Sequence, residues 1–403
     1  MRISTSQIYD LGVNQMSAQQ TALMKTQQQV SSGRRIMTPA DDPAASANAL
    51  QVNQLDSVNT QYQTNRTSAK NSLGIEDGVL QQVSDLIQSA KSLATSAGNG
   101  TLGNSDRTDI ATQLKGQLQQ LLGLANSKDG AGNYLFAGNQ SATQPFSQNG
   151  TTVQYSGDSG TRALQASVSR QIAVNDSGQQ VFMAIPAGNG TFSSAAAGTN
   201  TGTGVIGAGS VTDTSQLTGH DYSLNFSVSG GVTTYSVVDS TTGTTVSSGN
   251  PYTSGSAISV AGMQVDISGN PANGDQFSMT SGAKQSLFQT VQNLIDVLST
   301  PVNTAADSAK LSNGVNAALS NLDGGLNRIL ETRAFVGSSL NELDSLDALG
   351  SNLHIQYQQN ISQLQDLDYT KALSDLSLQQ TALEAAQKSF VQVMGLSLFQ
   401  YMT

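Results

Sequence analysis

Cysteine and tryptophan are absent from this chain, and histidine occurs twice, at His220 and His354. Without cysteine there can be no disulfide, thiolate metal site or cysteine nucleophile, so redox conditions do not restrict the compartment. The two histidines lie far apart, and no HExxH, GxSxG or P-loop pattern accompanies them. GTGVIGAG (202–209) has the glycines of a phosphate loop but neither a clear strand before it nor a helix after it, and it reads as linker. DLDY (366–369) falls within helical periodicity, where its aspartates point to different faces and cannot cage a calcium ion. No catalysis, metal or cofactor is expected. Charge is also scarce: only 11% of residues are charged, with 18 Lys and Arg against 28 Asp and Glu. That balance argues against nucleic acid as a partner, since phosphate binding needs clustered Lys and Arg. No apolar run approaches the roughly 18 residues of a membrane helix. The longest, FVQVMGLSLF (390–399), is interrupted by Gln392, so membrane insertion is not expected. MRISTSQIYDLGVNQM lacks the apolar core of a cleaved signal peptide, so export would use another route.

What fills the chain is Gln, Ala, Leu, Ser, Thr and Gly, unevenly distributed. Residues 1–142 and 283–403 carry apolar residues at spacings of three and four, whereas 143–282 holds 21 of the 39 glycines and alternates by twos. The spacing predicts a helix before Gly33, a second from Pro43 toward Leu93, and a third carrying Ile110 to Ala125. Helical character returns at Ala283 and runs from Ala305 almost unbroken to the end. In the middle, DYSLNFSVSGGVTTYSVVD predicts a hairpin about Gly230–Gly231. Residues 186–210 are low in complexity and read as a loose connector.

Two seams stand out. Tyr9, Met16, Leu23 and Val30 recur every seven residues near one end, and Leu376, Leu383 and Phe390 do so near the other. An amphipathic helix on a globular core is the usual source of such a stripe. Stripes at opposite ends of one chain make their mutual pairing attractive. An isolated helix of this length is marginal in water, so these ends should order only against neighbours.

Between the first two helices lies SSGRRIMTPADDPAASANAL (31–50). Gly33 can take the left-handed conformation that ends a helix. Thr38 precedes Pro39 and is pushed from helical angles. Asp42 is placed to cap a new helix with Pro43 at its first position. The segment is an elbow, with Arg34 and Arg35 expected to face Asp41 and Asp42.

These residues together resemble the bacterial flagellin family. Ser31, Ser32, Gly33, Arg35, Ile36, Asp41, Asp42, Ala44 and Ala45 match its N-terminal elbow. Asp366, Asp368, Tyr369, Ser374, Leu376, Ser377 and Gln380 match its tail. Pro39, Pro43, NYLFAG (133–138) and LSLFQYMT (396–403) look more like members at the hook–filament junction than like filament subunits. GNPANGDQFSM (269–279) resembles a β element of hook-associated proteins. The resemblance implies a flagellin-like multi-domain architecture, mainly α at both termini with coiled-coil-like pairing, and an inserted all-β domain. Residues 1–40 with 361–403 would be terminal helices of a tube core, disordered in the free subunit. Residues 41–189 with 283–360 would form a helical bundle with a β-hairpin portion at about 143–185, and 190–282 the β insert. The implied role is structural, at the hook–filament junction, after export through the flagellar channel. The implied partners are hook-associated protein 1, flagellin, further copies of the chain and an export chaperone. A minor filament flagellin and an exported adhesin acting through the insert are the competing readings.

Overall fold

Helices open and close the chain, and strands occupy its middle. The structure is a computed structural model and describes residues 5–399. Helices α1 (Thr5–Ser32), α2 (Pro43–Ala97) and α3 (Asn104–Ala125) come first. Strands β1 (Phe146–Asn149), β2 (Thr152–Tyr155), β3 (Ala163–Ser167), β4 (Arg170–Ala173) and β5 (Ile185–Pro186) follow. Next are β6 (Phe192–Ala196), β7 (Val205–Ile206), β8 (Ser210–Val211), β9 (Tyr222–Ser229) and β10 (Val232–Asp239). The strands end with β11 (Thr244–Pro251), β12 (Ala257–Val260), β13 (Met263–Ser268), β14 (Gln276–Ser281) and β15 (Lys284–Gln285). Helices α4 (Leu287–Ser299), α5 (Ala305–Gln365) and α6 (Tyr369–Phe399) complete the order. The expected fold class is the one observed, with long terminal helices and a central all-β region.

The chain divides into two compact units, residues 1–64 with 346–403, and residues 65–345. Boundaries drawn at 40/41 and 360/361 fall inside the first. In the second unit, α3 packs on α4, burying Leu114, Leu118 and Leu121 with Leu294, Ile295 and Leu298. Beside them the rings of Phe136, Phe146, Phe182 and Phe288 lie 5.1 to 6.0 Å apart. The hairpins β1–β2 and β3–β4 occupy the expected 143–185 region.

The insert builds a five-stranded sheet, β11-β10-β9-β14-β6, and a smaller sheet in which β13 pairs β12, β7 and β8. Phe192, Leu224, Phe226, Ile267, Phe277 and Met279 are buried in its own core. Gly230 and Gly231 have φ of 58° and 82° and turn β9 into β10, as a tight hairpin requires. Residues 186–210 depart from the sequence reading. They are an edge of the insert, not a loose connector. Phe192 anchors β6 in the core, and β6 pairs with β14 through Ser and Ala positions whose composition hid the strand. The loop that follows is tied by Asp275, whose carboxylate accepts the N–H groups of Thr201 and Gly202 at 2.9 and 3.0 Å.

Candidate functional site

Helix α1 ends where Gly33 turns left-handed, with φ of 70°. A Cβ there would lie 2.9 Å from the Tyr369 hydroxyl, so both the backbone angle and the close approach require glycine. Beyond it the chain leaves helical hydrogen bonding and pairs with a segment more than three hundred residues away. Arg35 N–H donates to the Gln365 carbonyl at 2.7 Å, and Leu367 N–H donates to the Gly33 carbonyl at 3.0 Å. Arg34 and Asp366 are thereby bridged antiparallel.

Arg35 joins three segments. Its guanidinium donates to the Leu364 carbonyl at 2.8 Å and to Asp42 at 3.2 Å, and its carbonyl accepts from the Gln29 amide at 2.6 Å. The contact with Leu364 satisfies a carbonyl in the last turn of α5. Asp42 caps α2 as expected, accepting Ala45 N–H at 2.9 Å. That bond, and then Arg35, lower its pKa. Asp41 does not face an arginine, a correction to the sequence reading. It pairs with Lys25 of α1 at 2.6 Å and accepts the N–H groups of Met37 and Thr38 at 3.1 and 2.8 Å. The Lys25 ammonium foremost, then Thr38, hold its carboxyl far below the usual carboxylate range. A Lys about two turns before the helix end was the missed signal.

The DLDY run is also corrected. It interrupts the helix between Gln365 and Tyr369. Asp366 stays bonded to Ser362 through backbone and side chain, but Leu367 turns its N–H to Gly33. Asp368 then caps α6, accepting from Thr370 and Lys371 at 3.0 and 3.1 Å. An Asp before an apolar helical run is an N-cap signature. Here it was outweighed by uninterrupted periodicity.

From the paired elbows, α1 and α6 run side by side. They are antiparallel, because Arg34 meets Asp366 at one end and the rings of Tyr9 and Phe390 lie 5.6 Å apart near the other. Gly12 allows this approach, since a Cβ there would come within 2.7 Å of the Phe390 ring. Of the proposed seam, Met16, Leu23, Val30, Leu376, Leu383 and Phe390 are half-buried and Tyr9 is exposed. Among the described side chains of the two helices only Thr26 and Ala372 are buried. Leu11, Met24, Leu373, Leu378 and Val391 are exposed. Among these described side chains the pair therefore buries no large apolar one.

The two histidines each meet an aspartate, His220 with Asp239 at 2.7 Å and His354 with Asp56 at 2.6 Å. They lie in different units.

Comparison with known proteins gives the family. A family profile described as the bacterial flagellin N-terminal helical region matches residues 3–141. Over 401 residues the chain is 30% identical to flagellar hook-associated protein 3 of Escherichia coli strain K12, with 99% of each chain covered. The crystal structure of the flagellar junction protein FlgL from Legionella pneumophila matches with a TM-score of 0.70 and 32% identity, covering 79% of this chain and 100% of that one. A crystal structure of FlgL from Xanthomonas campestris matches with a TM-score of 0.72 and 28% identity, covering 77% and 99%. The chain belongs to the family of flagellar hook-associated protein 3, structural proteins of the bacterial flagellum.

Proposed function

We propose that this chain is a ring subunit at the hook–filament junction, seated between hook-associated protein 1 and flagellin. One observation carries the reading. Helices α1 and α6 pair with each other yet, among the described side chains, bury no large apolar one, while apolar residues remain open on several faces. Burial of such faces is the main favourable term that can offset the entropy of ordering a helix. The pair is thus suited to frame a tube wall, where further copies cover Leu11, Met24, Leu373, Leu378 and Val391. In the free subunit these ends fray, and during export an amphipathic helix of this kind is a natural ligand for a chaperone. The seam residues Tyr9, Met16, Leu23, Val30, Leu376, Leu383 and Phe390 form the assembly interface. The elbow residues Gly33, Arg35, Asp41 and Asp42 hold the terminal pair at a fixed angle to the helices that follow.

Immunogold labelling of intact flagella tests the position. A single band where hook meets filament is expected. Label along the whole filament would instead support a minor flagellin, and label on the cell body, with glycan binding by the insert, an adhesin.

A further inference from the structure

The seam between α1 and α6 is not apolar throughout. Positions four and three apart on α1, namely Gly12, Met16, Gln19, Leu23, Thr26 and Val30, are all partly or fully buried. The matching row on α6 is Ala372, Leu376, Gln379, Leu383, Ala386 and Phe390. Each row holds one glutamine. Antiparallel helices rise at the same rate, so the contacts of Tyr9 with Phe390 and of Arg34 with Asp366 bring Gln19 level with Gln379. The Oε1 atoms of both are buried and have no hydrogen-bond partner among the described residues, so neither amide donates to the other. Their neighbours along the seam, Met16, Leu23, Leu376 and Leu383, offer no side-chain donor.

We infer that Gln19 and Gln379 form a weak polar layer that keeps the terminal pair from closing firmly in the free subunit, and that N–H donors of adjacent copies complete it on assembly. A buried carbonyl without a donor is destabilising, and an amide that swings out to water leaves its place in the seam unfilled. Either way the free pair is loosened at mid-length. In a ring, neighbouring helices replace the water around the seam, and an amide turned outward from it can accept their N–H groups. The inference rests on the assembly reading above, and the exchange measurement in the free subunit does not depend on where the subunit sits.

The test compares the full-length Gln19→Leu/Gln379→Leu variant with a control, Gln20→Leu/Gln380→Leu, at neighbouring exposed positions. Amide hydrogen exchange in the free subunit should slow by about tenfold over residues 12–30 and 372–390 in the first and remain unchanged in the control. In cells, the first variant should attach fewer filaments than the unsubstituted chain despite its firmer ends. These opposite signs separate the layer from a merely structural role. Exchange that is unchanged or faster would overturn the weak layer, as would equal slowing in the control. Slower exchange with full filament attachment would overturn donation by neighbours.

Discussion

Glu76 on α2 has no exposed surface. One carboxyl oxygen accepts the Asp176 N–H at 3.1 Å, and the other has no partner among the described residues. Burial above all, then the charge of Asp176, push its pKa well above the ordinary value, against the pull of that N–H and of Arg162. Burial raises the pKa of Asp176 as well. A carboxyl raised in this way leaves the folded state fully stable below the unfolded pKa. Stability is then lost as pH rises toward the folded value, because the unfolded chain releases its proton first. The unit of residues 65–345 should therefore melt higher at about pH 5 than at about pH 8. Glu76→Gln should flatten that slope and raise the melting temperature at the higher pH by about 2–4 °C. An unaltered slope in the variant would mean that other groups govern it. Nothing in the sequence marked Glu76, since one Glu on an amphipathic helix looks solvated until the distant segment carrying Asp176 meets it. Gly33, Arg35 and Asp42 were legible because their roles are set within ten residues. Lys25 with Asp41, and Arg35 with Leu364, depend on segments brought together by the fold.

At the scale of elements, periodicity revealed every long helix and missed what divides two of them. The break at Asp366–Asp368 exists because Gly33 and Gln365 supply hydrogen-bond partners across the elbow, and no local pattern announces partners so distant. Strand β6 was missed for the converse reason, since its register rests on one anchor, Phe192, among small residues. The pairing of α1 with α6 was legible because large side chains recur at heptad spacing near both ends, and the seam's role as an assembly interface is a proposal. Leu383→Asp tests it. In the free subunit Leu383 is half-buried in a pair with little other burial, so the charged side chain reaches water and the melting of residues 65–345 should not change. In an assembled ring the carboxylate would be buried without a partner, at several kcal/mol unless it is protonated. Junction assembly and motility should be lost while export continues, as measured by secreted protein and swimming. A variant that is exported and still joins filament to hook would remove the seam from the interface.

For the whole molecule, the question is whether the β insert is a module or part of the bundle's foundation. Three observations make it removable. Its core is its own, from Phe192 through Met279. Its entry and exit are adjacent, since β5 pairs with β15 by matching Pro186 with Lys284 and Ile185 with Gln285, and Gly282 N–H donates to the Thr191 carbonyl at 3.0 Å. Its polar ties to α5 include those of Asn313, which accepts Ile206 N–H at 2.9 Å and donates to the Gly204 carbonyl at 3.0 Å. Replacing residues 190–282 by a short Asn-Gly turn should therefore leave α3, α4 and the phenylalanine cluster packed. Asn313 then faces water, where lost hydrogen bonds are replaced, at about 0.5–1.5 kcal/mol for each bond. The apolar α5 surface lining the roughly 510 Å³ cavity beside β6, including Leu311 and Ala317, would be newly exposed. The shortened chain should melt cooperatively a few degrees below the full one, with helical circular dichroism retained. Loss of cooperative melting would show that the insert holds the bundle together. A cooperative melt with filaments still attached would assign the junction contacts to the helices, and one without filaments would assign part of them to the insert.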